Sequence, residues 1–138
     1  MKKLVFSSLV CLMLSTLFAS SYAMAAERII EVTILRTYQD SKYAAKVNIE
    51  IANKSDEFVD RVTLDVNAYD ANGKFLAQGI TARTNMQAHT SAIDSAQFSN
   101  INADNISTYK IQIRGISITI DGKSYLPADN NPFKVIYH

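Results

Sequence analysis

This chain has few of the residues that usually carry chemistry. Its one cysteine is Cys11, its histidines are His89 and His138, its prolines are Pro127 and Pro132, and it has no tryptophan. Two histidines without a later cysteine are too few nitrogen and sulfur ligands for a zinc or copper centre. Positive and negative side chains nearly balance and are scattered. No basic stripe therefore points to nucleic acid, and no block of charge points to a tail. Past the first 25 residues there is no helical stripe, no repeat and no low-complexity segment.

The start of the chain is an address. Lys2 and Lys3 precede an apolar run, Leu4 to Ala19, broken only by small hydroxyl residues. Ala23-Met24-Ala25 has the small-x-small pattern of a signal-peptidase site, which predicts cleavage after Ala25. The run is short for a bilayer core about 30 Å thick, and polar Ser20 and Ser21 follow it. A lipoprotein built on Cys11 is disfavoured, because Val10 is bulky where lipidation motifs carry a small residue. The expectation is a signal peptide over residues 1–25 and one domain over 26–138, periplasmic or secreted, with no membrane anchor after cleavage. Cys11 leaves with the signal, so thiol chemistry goes too, and the core must hold without disulfides.

The rest alternates with the period of half-buried strands. Ile30, Val32 and Ile34 share one parity; Tyr43, Ala45, Val47, Ile49 and Ile51 share another, with Lys46, Asn48 and Glu50 facing out. Val62 to Ala68 repeats the pattern, Asn72-Gly73 supplies a tight turn, and Phe75 restarts a strand that reaches about Thr84. Ser91 to Phe98 is a strand ending in one large anchor, and a short helical turn fits the polar stretch after Ser99. Tyr109, Ile111 and Ile113 face inward, Gly115 marks a bulge or bend, and Asp121-Gly122 marks a hairpin. Phe133, Val135 and Tyr137 alternate at the end, after Pro132, and read as an edge strand. Many short strands separated by turns mean an all-β domain. We expect one antiparallel β-sandwich of immunoglobulin-like or fibronectin-like topology, with a closed barrel as the alternative.

Two stretches carry a family resemblance. Ile49-Glu50-Ile51-Ala52-Asn53-Lys54-Ser55, followed by Val66-Asn67-Ala68-Tyr69-Asp70-Ala71-Asn72-Gly73-Lys74, resembles the FxLYD domains of bacterial envelope proteins. Tyr69 and Asp70 match the motif, while Val66 and Ala68 stand at its two apolar positions. The resemblance implies an immunoglobulin-like sandwich in the envelope and brings no catalytic residues with it.

Several constellations were weighed as sites. His89, Ser91 and Asp94 are the residue types of a hydrolase triad, but four residues of loop and strand start rarely give its geometry, and no nucleophile elbow is present. Asp70-Ala71-Asn72-Gly73 opens like a calcium loop, yet Lys74-Phe75-Leu76 enters a strand where a bidentate Glu should follow. Asp129-Asn130-Asn131 adds oxygen atoms without a second cluster. Asn53-Lys54-Ser55 and Asn105-Ile106-Ser107 match glycosylation sequons, which in a bacterial chain read as polar loop residues. Tyr38, Tyr43, Tyr109 and Tyr137 read inward, and Tyr69 outward against a neighbouring strand.

These readings assign no catalytic, cofactor or metal residue and point away from an enzyme. They favour a binding or structural module acting on another envelope or extracellular protein. A strand-exchanging, pilin-like subunit is the first alternative, since Tyr137 lies next to the end of an alternating final strand. A periplasmic inhibitor or immunity protein is a special case of the module, and an enzyme or small-ligand carrier ranks last.

Overall fold

A computed structural model describes residues 27–118, 124–125 and 132–138. Residues 1–25, read as a signal peptide and including Cys11, the expected hairpin at Asp121-Gly122, Pro127 and Asp129-Asn130-Asn131 lie outside the described residues. The strands are β1 (Ile29–Ser41), β2 (Ala44–Asn53), β3 (Val59–Tyr69), β4 (Phe75–Met86), β5 (Thr90–Ser99), β6 (Thr108–Ile118), β7 (Ser124–Tyr125) and β8 (Lys134–Tyr137). One turn of 3-10 helix, Ala103–Asn105, lies between β5 and β6. Among the described residues no helix is long and apolar enough to cross a membrane.

The strands form two four-stranded sheets, ordered β5-β2-β1-β8 and β4-β3-β6-β7. Hairpins join β1 to β2 and β3 to β4, while the chain crosses from one sheet to the other between β2 and β3, β4 and β5, and β5 and β6. This is the expected immunoglobulin-like or fibronectin-like sandwich rather than the barrel, since among the described residues no ladder joins the two sheets. β8 adds a feature that alternation cannot reveal: it runs parallel to β1, with Ile30 beside Val135 and Val32 beside Tyr137.

The core follows the parity of the sequence. Ile30, Val32, Val47, Ile49, Ile51, Val62, Leu64, Val66 and Phe98 are fully buried between the sheets. At roughly 25 cal/mol per Å² of apolar surface, each such side chain contributes about 1.5–3 kcal/mol. Gly115 sits beside a bulge: Thr63 pairs with it and Leu64 with Ile113, so Arg114 has no opposite residue and the strand bends without ending.

Two expectations need correction. Tyr43 is 61% exposed, because it lies in the turn before β2 and its carbonyl accepts from Asn100 N–H. Tyr137 is 45% exposed although Phe133 and Val135, of the same parity, pack on the core.

The two lateral seams between the sheets differ. On one side β4 closes directly on β5. A Cβ on Gly79 would lie 3.0 Å from the Gln97 carbonyl oxygen and 3.1 Å from Ala96 Cβ and Phe98 Cε1. Arg83 reaches Asp94 across the same seam at 3.6 Å. Along the opposite seam, between β6 and the β1–β8 pair, no strand among the described residues closes the gap.

Candidate functional site

The open seam arises because the neighbours of β6 differ in length. β3 pairs with β6 from Thr108 to Ile118, whereas among the described residues β7 meets it at Ile116 and Ser117. Among the described residues, the far edge of β6 from Thr108 to Arg114 has no strand beside it. Facing it, β8 covers β1 from Ile29 to Val32, and His138 continues the contact by accepting from Ile34 N–H at 3.3 Å. Two adjoining hollows of about 490 and 510 Å³ lie between these edges. Ile34, Tyr109, Lys110, Ile111, Gln112, Tyr137 and His138 line the first; Ile111, Gln112, Ile113 and Tyr137 line the second.

Alternation along β6 explains the lining. Tyr109, Ile111 and Ile113 point toward the core side of the sheet and are half-buried, and among the described residues no strand closes over them. Two tyrosines bridge the seam. Tyr109 stacks on Phe98 at 5.9 Å between centroids, and its hydroxyl is 2.7 Å from Thr37 Oγ1. Tyr137 forms a hydrogen bond with the Ile113 backbone. Partial burial raises both phenols above their ordinary pKa, and the hydrogen bonds offset part of that rise.

In an antiparallel ladder, the N–H and C=O groups of successive residues point to opposite sides. Because the Ile113 backbone faces Tyr137, Ile111 and Tyr109 turn their backbone groups to the seam, while Lys110 and Gln112 turn theirs to β3. The seam is therefore a half-exposed apolar strip beside a row of backbone donors and acceptors. Its chemistry is that of a strand edge.

Charged side chains of both signs stand around it. Lys110 Nζ lies 5.1 Å from the centre of the Tyr69 ring, and Arg114 pairs with Asp65 at 2.7 Å. His138 stands 3.8 Å from Glu31. Among the described residues no Asp or Glu side chain lines either hollow.

The constellations singled out in the sequence go elsewhere. His89 contacts Asp56 at 2.5 Å, Thr90 donates to the Gln87 carbonyl, and Asp94 faces Arg83, so His89, Ser91 and Asp94 share no hydrogen bond. One oxygen of Asp70 accepts from Asn72 N–H and Lys74 N–H at 2.9 Å each, which ties the carboxylate to the β3–β4 turn. Gly73, at φ +78°, completes that turn. Among the described residues no three His, Cys, Asp or Glu side chains converge as a metal site would require.

Asn53 is a bracket. Its amide donates to the carbonyls of Glu57, Met86 and Gln87, and its oxygen accepts from Ser55 N–H and Oγ. Fully buried, it joins the β2–β3 loop to the β4–β5 corner and offers no amide for glycosylation. Tyr69 faces outward as expected and meets Phe75 edge-on at 5.9 Å. The open seam itself was missed in the sequence, where inward parity on β6 does not say whether anything lies beside it.

No protein-family model matches the chain, and no curated protein matches it. Among solved structures it is similar to IrmA from Escherichia coli, with a TM-score of 0.53 and 17% identity, over 79% of this chain and 92% of that one. That likeness is one of fold.

Proposed function

We propose that the chain is an exported, non-enzymatic binding module of the bacterial envelope that engages another protein through the open seam. The observation that carries this reading is the half-exposed apolar strip of Tyr109, Ile111, Ile113 and Tyr137, which lines two adjoining hollows. A soluble domain that leaves a strand edge and an apolar strip together risks aggregation unless a partner uses them. The reading of residues 1–25 as a signal peptide, the FxLYD resemblance and a bacterial structural neighbour support an envelope setting.

A photo-crosslinking residue at Gln112, which lines both hollows, tests the proposal in the native envelope. We expect one discrete adduct there and none from the same residue at exposed Ser95 on β5. Adducts of equal yield and pattern at both positions would refute it. A second reading, a strand-exchanging structural subunit, is favoured by the short parallel β8 at the sheet edge. It requires a concentration-dependent ladder of oligomers on size exclusion, where the module requires a monomer.

A further inference from the structure

We infer that Asn72 is a self-modifying residue, converting in the folded protein to aspartate and isoaspartate through attack by the Gly73 backbone nitrogen. Asn72-Gly73 is the one Asn-Gly pair in the chain. Glycine has no Cβ to crowd the approach of its nitrogen to the preceding side chain. The fold leaves that approach clear as well. Asn72 and Gly73 are both exposed, and apart from its chain neighbours nothing lies within 4 Å of where a Gly73 Cβ would stand. Other asparagines are held in place. The Asn53 amide donates to three carbonyls, Asn67 accepts from Gln78, and Asn102 accepts from Asp104 N–H. The backbone N–H of Asn72 donates to Asp70, but among the described residues nothing bonds its side-chain amide. One hydrogen bond holds the Gly73 nitrogen, from its N–H to the Asp70 carbonyl at 3.1 Å. A single exposed bond of that kind slows the attack by about tenfold or less.

The reaction needs only water. The Gly73 nitrogen gives its proton to solvent and adds to Asn72 Cγ. The Cγ–Nδ2 bond then breaks, and ammonia leaves with a proton taken from solvent. The product is a five-membered cyclic imide. Water adds to either of its carbonyls: breaking the nitrogen–Cγ bond leaves aspartate, and breaking the bond to the backbone carbonyl carbon leaves isoaspartate. Either product adds a carboxylate to a hollow of about 330 Å³ that Asp70, Asn72, Leu76, Asp104 and Asn105 help to line. Two carboxylates line it already, so like charges then crowd the end of the sandwich where the β3–β4 turn meets the loop after β5. Isoaspartate also lengthens the backbone of a turn that Asp70 pins, through its N–H to the Lys74 carbonyl and its carboxylate to Lys74 N–H.

The test holds the mature protein in mildly alkaline buffer, folded throughout by circular dichroism, beside a sample unfolded in guanidinium chloride. Peptide mapping by mass spectrometry, with an isoaspartate-specific methyltransferase, follows each asparagine. Asn72 should convert in the folded protein at a rate within about tenfold of the unfolded sample. The other described asparagines should lag behind it by about tenfold or more, as one further hydrogen bond and a bulkier next residue require. Hydroxylamine attacks cyclic imides, so its addition should cut the chain between residues 72 and 73. Asn72→Gln, at an exposed turn position, should remove the product and leave Tm unchanged. Absence of conversion in the folded protein while the unfolded chain reacts to completion would overturn the inference. So would conversion spread evenly over the asparagines, or conversion with no hydroxylamine-sensitive bond after residue 72.

Discussion

Gly79→Ala sets two opposing effects against each other at the closed seam. In an open position the change would stabilise the fold by about 0.4–1 kcal/mol, because alanine has fewer unfolded conformations to lose. Gly79 does not have a positive φ, so the backbone itself permits alanine. The obstacle is space: the new methyl would sit 3.0 Å from the Gln97 carbonyl oxygen and 3.1 Å from both Ala96 Cβ and Phe98 Cε1. Comfortable carbon contacts lie at about 3.5–4.0 Å, so the seam must open by roughly half an ångström. None of the three neighbours is a flexible side-chain end. The carbonyl belongs to β5, which is laddered to β2 along its whole length, and Phe98 is fully buried and stacked on Tyr109. Overpacking of this kind costs about 1–3 kcal/mol, so the net effect is a loss of about 0.5–2 kcal/mol. For a domain of this size that lowers Tm by on the order of 3–12 °C. Thermal and urea melts of the mature protein, with an unchanged urea m-value, are the assay. Gly73→Asn is the contrast. A Cβ there meets nothing within 4 Å and the residue needs φ +78°, which asparagine tolerates, so the loss should be small. A Gly79→Ala protein that melts at or above the parent would refute the account of the closed seam.

Asn53→Ala removes a buried side chain and strands the carbonyls of Glu57, Met86 and Gln87, so a loss of about 2–4 kcal/mol is expected in urea melts. Val66→Asp places an unpaired carboxylate in the fully buried centre of β3 and should cost several kcal/mol; a near-parental Tm would mean the face is wrong. Tyr109 and Tyr137 keep their protons above the ordinary phenol pKa of about 10. The folded state therefore binds more protons than the unfolded one in that range. Their contribution is fully present below pH 10 and is lost as pH rises through the raised values, and Tyr109→Phe with Tyr137→Phe should flatten that alkaline decline. Intact-mass spectrometry of the exported form should show a chain beginning at Ala26, and retention of residues 1–25 in a membrane fraction would reject the signal-peptide reading.

Much of the sandwich was legible residue by residue, because period-2 alternation is a local property. Val47, Ile49 and Ile51 in β2 and Val62, Leu64 and Val66 in β3 are buried as their parity requires. The turn at Asn72-Gly73 and the bulge beside Gly115 follow from backbone freedom, which is also local. Parity fails where it depends on a neighbour. Tyr43 and Tyr137 have inward parity, yet one precedes the first rung of its strand and the other ends over a seam with nothing described beyond it.

By itself the sequence determined the number and phase of most strands, the positions of their turns and the composition of the core, since each depends on residues adjacent in the chain. Tertiary structure alone decided which edges meet. It set Gly79 against β5, laid β8 parallel to β1, and brought Tyr109 and Tyr137 to one hollow between the sheets. Those outcomes depend on pairing between segments far apart in the chain, where the alternation of one strand carries no information about the length or direction of the next. The open seam, and with it the candidate site, belongs to that second class.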